Sequence, residues 1–148
     1  MGHLNLRQCL NDLEKKGELL QINQEVDPCL EVGAIQRRVF QAKGPALVFN
    51  NVKGTRFPMA ANIFGTLDRT RYIFRDSIKR IQSLIELKTD PFDLLKHPLR
   101  HAGTSKILYH VLPKMVKSGP IQEAQTSISS LPQLKSWPLD GGAYITLP

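Results

Sequence analysis

A chain of 148 residues with 41% hydrophobic and 22% charged side chains can bury one real core, and it is not the composition of a disordered polymer. Two cysteines are too few for a disulfide framework, and no apolar run nears the ~18 residues of a membrane span. The net charge of +7 is the unusual bulk number; it points either to an anionic or acidic partner or, more plainly, to a solvated basic face.

The amino terminus, Met-Gly-His-Leu-Asn-Leu, has no apolar signal region, and Leu6 stands where a myristoylation signal has Ser or Thr. A reducing cytoplasm is therefore the expected location. Residues 5–16 read as a helix. Asn5 caps it, Gln8 completes a capping box, and Leu6, Cys9, Leu10 and Leu13 form one apolar face. Gly17 supplies a left-handed stop.

Residues 18–52 organise the rest. Residues 18–26 predict a half-buried strand, with Leu20, Ile22 and Val26 on one face and Gln21, Asn23 and Glu25 on the other. Asp27 and Pro28 then predict a helix start: a carboxylate cap followed by proline at the first helical position. Val32, Ile35, Val39 and Ala42 form its apolar stripe. Gly44-Pro45 ends it and leads into residues 45–50, a strand apolar on both faces. Strand, helix and strand make a βαβ unit, whose crossover is right-handed as a rule. Lys53-Gly54 marks a turn, residues 58–63 a short antiparallel strand, and Gly65-Thr66 the opening of a helix over residues 67–75. Ser77 is placed to cap a further helix with Ile78, Ile81, Leu84 and Ile85 inside. Asp90-Pro91 opens a short segment ending before Pro98, and residues 105–112 read as a last, weaker helix.

From Ser118 the composition shifts to Gly119-Pro120, Leu131-Pro132, Trp137-Pro138 and Asp140-Gly-Gly142 around a polar stretch. This reads as a connector laid over a surface, with residues 144–147 as the start of a strand. The expected class is α/β (α+β): a small mixed sheet built on the βαβ unit with flanking helices. Residues 1–117 are the expected α/β domain and residues 118–148 the connector.

Candidate chemistry is sparse. Cys9 and Cys29 both fall on predicted helices and read as small core residues. His97 and His101 have metal-ligand spacing, but Pro98 between them spoils the helix and no third ligand is near. Glu14, Lys15, Lys16 and Glu18 read as a solvated helix end. Arg69, Arg71, Arg75, Lys79 and Arg80, interleaved with Tyr72 and Phe74, have the make-up of a nucleic-acid face; the plainer reading buries the rings and solvates the arginines. Asp140-Gly141-Gly142 could offer backbone N–H groups to an anion. No Ser-His-Asp or Cys-His arrangement, P-loop or dinucleotide fingerprint is present.

Several stretches in register carry a resemblance. They are Leu10-Asn-Asp-Leu-Glu-Lys-Lys-Gly-Glu-Leu19, Val26-Asp-Pro-x-Leu-Glu31, Gly44-Pro-Ala-Leu-Val-Phe-Asn-Asn-Val-Lys-Gly54, Asn62-Ile-Phe-Gly-Thr66, Leu131-Pro132 and Trp137-Pro-Leu-Asp-Gly-Gly-Ala-Tyr-Ile-Thr146. Together they resemble the amino-terminal region of the UbiD family of carboxy-lyases, which decarboxylate aromatic and α,β-unsaturated acids with prenylated flavin mononucleotide. The resemblance implies an amino-terminal α/β domain followed by a split β-barrel that holds the flavin. It also implies a divalent metal, with a monovalent cation in some members, and a homo-oligomeric parent. The family's catalytic Glu-Arg-Glu set and its metal ligands lie downstream and have no counterpart here. The one position that the resemblance brings near a cofactor is Thr146. Ile121 stands where members commonly have Cys, and Thr126-Ser-Ile-Ser-Ser130 is neutral where they often carry acids. The resemblance thus implies a scaffold piece of a decarboxylase, such as one acting on 3-polyprenyl-4-hydroxybenzoate in ubiquinone biosynthesis. Such a piece would be inactive alone and bind no cofactor itself, its partner being the rest of that chain or a full-length relative. Two other readings stay open: a non-enzymatic paralogue that docks on such a relative, and a basic nucleic-acid-binding module.

Overall fold

The computed structural model describes residues 3–78, 81–82, 85, 113 and 115–145. The described residues within 3–70 and 125–148 form one compact unit, and those within 71–124 form another. The expected helices over residues 90–97 and 105–112 lie outside the described residues, as do Leu84 and residues 146–148.

In the first unit, helix α1 spans Leu6–Lys15. The Asn5 carboxamide oxygen accepts the Gln8 N–H at 2.9 Å, while Gln8 Oε1 accepts the Leu4 N–H at 2.9 Å. The reciprocal cap therefore closes one residue upstream of the expected box. Gly17, at φ 75°, ends the helix in a Schellman motif: the Glu18 N–H reaches the Leu13 carbonyl at 2.8 Å and the Gly17 N–H the Glu14 carbonyl at 2.9 Å.

Strand β1 (Leu19–Val26), helix α2 (Glu31–Gln41) and strand β2 (Ala46–Val52) form the βαβ unit, with β1 and β2 parallel. Strand β3 (Met59–Ala61) adds antiparallel to β2 through the Gly54 turn, giving the sheet order β1-β2-β3. The alternation of β1 is interrupted, because its register against β2 shifts between Ile22 and Glu25. Central β2 is covered on both faces. On one, Leu47 and Phe49 join Val26, Val32 and Val52 in the core, with Ile35 and Val39 of α2 packed against them. On the other, Ala46 is buried and α1 lies alongside, with Leu13 and Cys9 buried.

Both ends of α2 differ from expectation. The helix begins at Glu31, not Pro28, and its N-cap is Leu30 at φ 71° with no side-chain cap. The Asp27 carboxylate instead accepts the Cys29 N–H at 2.8 Å and pairs with Lys53 at 3.0 Å. Cys29 is accordingly exposed and outside the helix, whereas Cys9 is buried as expected. At the other end the left-handed residue is Lys43, φ 52°, while Gly44 donates to the Val39 carbonyl at 2.8 Å. Gly44 is glycine for closeness: a Cβ there would meet Val39 Cγ1 at 2.8 Å.

The connector is fastened to this unit. Leu134 packs on the core, Thr55 donates its hydroxyl to the Ser130 carbonyl at 2.7 Å, and Cys29 and Lys135 form a parallel bridge. Helix α3 spans Leu67–Ile73, its start marked by the Thr66 hydroxyl accepting the Arg69 N–H at 3.2 Å. In the second unit residues 75–78 are helical, so Ser77 lies within that helical stretch instead of capping it.

Candidate functional site

Asn62 and Arg69 are the buried polar side chains among the described residues, and they meet at one place. Arg69 has 0% exposure. Its Nε donates to the Ile63 carbonyl at 3.1 Å, Nη1 to Glu18 Oε2 and to the Gly44 carbonyl at 3.0 Å each, and Nη2 to the same Gly44 carbonyl at 3.0 Å. Asn62 Nδ2 donates to the Gly44 and Pro45 carbonyls at 3.2 and 2.8 Å. Asn62 holds this pose at φ 55°, and a Cβ on Gly65 would overlap its carboxamide. The stretch from Asn62 to Thr66 is thus a sharp turn shaped to aim one amide and one guanidinium at the end of α2. The fork of five donors is what suits arginine to collect several carbonyls at once.

This placement revises the basic face. Arg69 is enclosed, not available to phosphate, and Glu18 is its partner and not a freely solvated end. Glu14 likewise accepts a hydrogen bond from Gln21 Nε2. In the second unit Arg75 lies over the Tyr72 ring at 4.2 Å and donates to the Tyr72 carbonyl at 2.8 Å. Phe74 is exposed, and Lys79 and Arg80 lie outside the described residues. His97, His101 and Thr146 also lie outside them. Among the described residues no group of three His, Cys, Asp or Glu side chains could hold a metal.

The Asp140 turn is closed on itself. The Asp140 carboxylate accepts the Ser136 N–H at 2.8 Å and the Gly142 N–H at 3.2 Å, with Gly142 at φ 100°. An anion would meet a carboxylate there and no free amide of Gly142. The described residues therefore do not fit a flavin phosphate at this turn. A separate groove of about 370 Å³ runs between α1 and the sheet, with Leu6, Leu10 and Val48 on its walls. Gln21 and Asn50 also line it, and Asn50 Nδ2 donates to Gln21 at 3.1 Å and, outside the groove lining, to Asn23 at 2.7 Å.

The motif that builds the Arg69 hub falls inside a stretch of known kind. The family model for the 3-octaprenyl-4-hydroxybenzoate carboxy-lyase N-terminal domain (UbiD) matches residues 10–88. The chain belongs to the UbiD family. Among its relatives is an uncharacterized protein of Chlamydia trachomatis, 36% identical over 97% of this chain and 26% of that protein. A Chlamydia pneumoniae protein named as one of the subunits of a 4-hydroxybenzoate decarboxylase is 34% identical over 97% of this chain and 25% of its own length. The chain thus spans about a quarter of the curated relatives it matches. The UbiD-class enzyme HmfF from Pelotomaculum thermopropionicum, solved in complex with FMN, is 31% identical over 45% of this chain and 15% of that one, with a TM-score of 0.42. No helix of the described residues is long and apolar enough to cross a membrane.

The hub was not legible as a site from residue types. Its ligands are backbone carbonyls, which leave no mark on side-chain spacing. The one available signal was Asn62-x-x-Gly65-Thr66, a turn and helix start within reach of an arginine.

Proposed function

We propose that this chain is the amino-terminal scaffold of a UbiD-type decarboxylase that removes CO₂, without oxidation, from an aromatic or α,β-unsaturated acid. An example is 3-polyprenyl-4-hydroxybenzoate in ubiquinone-type biosynthesis. The observation that carries the reading is the family match over residues 10–88; the name of the Chlamydia pneumoniae relative agrees with it. The geometry supports a scaffold role, since Arg69 and Asn62, the buried polar side chains among the described residues, are both directed at the chain's own backbone.

In this reading prenylated FMN and the divalent metal are held by other parts of a cytoplasmic homo-oligomer. When bound, the flavin supplies the electron sink that lets a carboxylate leave as CO₂. This chain contributes a sheet held rigid at α2 and residues 118–148 as connector. Its partner is the remainder of the decarboxylase, in the same polypeptide or as a full-length relative. The groove of about 530 Å³ lined by Met59, Ile128, Leu131, Pro132, Tyr144 and Ile145 is the apolar surface assigned to that partner.

The test is an assay of CO₂ release by the purified 148-residue chain with prenylated FMN, a divalent metal and aromatic acids supplied. No turnover is expected alone, and co-elution is expected with the remaining part of a UbiD-family enzyme expressed separately. Turnover by the chain alone would overturn the scaffold reading, and so would separate elution.

A further inference from the structure

Asp27-Pro28 carries the chemical signal of a helix start, yet α2 begins at Glu31. The connector is bonded to the residues between, beside local bonds from the Glu31 N–H to the Cys29 carbonyl at 2.9 Å and from the Asp27 N–H to Glu31 Oε2 at 2.7 Å. The Leu30 N–H donates to the Lys135 carbonyl at 2.7 Å, and the Lys135 N–H donates to the Pro28 carbonyl at 3.1 Å. These two groups of residues 28 and 30 are thereby used in a strand-like bridge. A helix starting at Pro28 needs that proline's carbonyl for its own first turn.

The diverted start is held in an unfavourable shape. Leu30 sits at φ 71° and ψ −39°, where a branched side chain is placed only when its surroundings impose it. The surroundings are specific. Gly33 faces the connector backbone so closely that a Cβ would stand 2.8 Å from the Ser136 carbonyl oxygen and 2.9 Å from its Cα. Arg37 Nη2 reaches the same carbonyl at 3.3 Å, and Leu134 is seated against the core. Meanwhile the alternative start is half assembled. The Asp27 carboxylate already accepts the Cys29 N–H at 2.8 Å, the bond of a capping residue to the second residue of a helix.

We propose that residues 134–136 are a strap with a docked and a released position, and that α2 has two starts matched to them. Docked, the helix starts at Glu31 with Leu30 left-handed. Released, Leu30 rotates into the right-handed region, Pro28 becomes the first helical residue and Asp27 the cap. Cys29 leaves its bridge and Leu30 its left-handed shape together, so the two states exchange one bridge for one helical turn. A pull on the connector is thereby transmitted to the crossover helix of the sheet, and a change at Asp27 is transmitted back. This inference does not depend on the decarboxylase reading.

The test uses the full chain, isotope-labelled for NMR, as wild type, Gly33→Ala and Lys135→Pro. Gly33→Ala crowds the docked strap; Lys135→Pro removes its N–H donor without touching α2. In wild type the Leu30 amide is expected to exchange slowly and its 13Cα shift to be non-helical. In both variants Leu30 protection is expected to fall at least tenfold relative to Val48, while the 13Cα shifts of Pro28, Cys29 and Leu30 move to helical values. Adding Asp27→Ala to either variant should remove that helical shift. Three results would overturn the proposal: unchanged Leu30 protection in both variants, loss of protection with no helical shift, or loss of Val48 protection in both. The last would mean that the released state has no existence apart from unfolding.

Discussion

Replacing Arg69 by Ala removes four hydrogen bonds from a site with 0% exposure. The Ile63 carbonyl loses its guanidinium donor, and the Gly44 carbonyl keeps only the Asn62 amide at 3.2 Å. A buried carbonyl left short of a donor costs about 1–3 kcal/mol, and the vacated side-chain volume adds to this. The total expected loss is about 3–5 kcal/mol, the sum of two carbonyls short of a donor and the vacated volume. Glu18→Gln is the informative contrast. The Glu18 side chain is 35% exposed, so water screens its charge, and the Gln oxygen can still accept from Arg69 Nη1 while the Ile63 and Gly44 carbonyls stay bonded; the loss should be about 0–1 kcal/mol. Arg69→Lys keeps the charge but cannot reach Ile63, Glu18 and Gly44 together, and should fall between the two. Urea unfolding followed at Trp137, the sole tryptophan, reads the difference. At a slope of ~1–3 kcal/mol/M, Arg69→Ala should move the midpoint by roughly 1–5 M and Glu18→Gln by at most ~1 M, always less than Arg69→Ala. Equal losses for the two variants would show that the ion pair, and not carbonyl satisfaction, holds the hub.

Three further outcomes follow from the same geometry. Lys43→Gly should stabilise the chain by about 0.5–1 kcal/mol, because the left-handed position at φ 52° costs a side-chain-bearing residue more than glycine; a lower thermal midpoint would contradict this. Gly65→Ala should cost about 1–3 kcal/mol by displacing the Asn62 carboxamide from two part-buried carbonyls, and Asn62→Ala in the same background should add little, since both changes break the same bonds. The Cys29 N–H first, and then Lys53, hold the Asp27 carboxyl below its ordinary 3.8. A depressed carboxyl stabilises the fold above the ordinary value, and that contribution is lost as pH falls through the lower folded value. Thermal melts between about pH 2 and pH 5 should therefore lose part of their acid slope in Asp27→Asn; identical slopes would refute the assignment.

What could be read from the sequence is what is local. Asn5 and Gly17 set the ends of α1 through atoms within a few residues, and the apolar run from Ala46 to Phe49 marked the central strand of a two-sided sheet. The reading failed where the deciding partner is distant. Lys135 displaces the start of α2 from more than a hundred residues along the chain. Arg69, which looks like surface charge among Arg71 and Arg75, is drawn inward by carbonyls at Gly44 and Ile63. The family resemblance supplied the order of the motifs. It carried no reason for them, and the close approaches at Gly33, Gly44 and Gly65 supply one.

The separation of these partners has a consequence for biosynthesis. A ribosome delivers Glu18, Gly44 and Asn62 before the guanidinium that joins them, so the sheet reaches its final stability only once Arg69 has emerged. Lys135 then follows after roughly another 3–13 s at ~5–20 residues per second. During that interval the nascent crossover has Asp27-Pro28 and no Lys135 to bridge them, so the proposed released start is the one open to newly made chains.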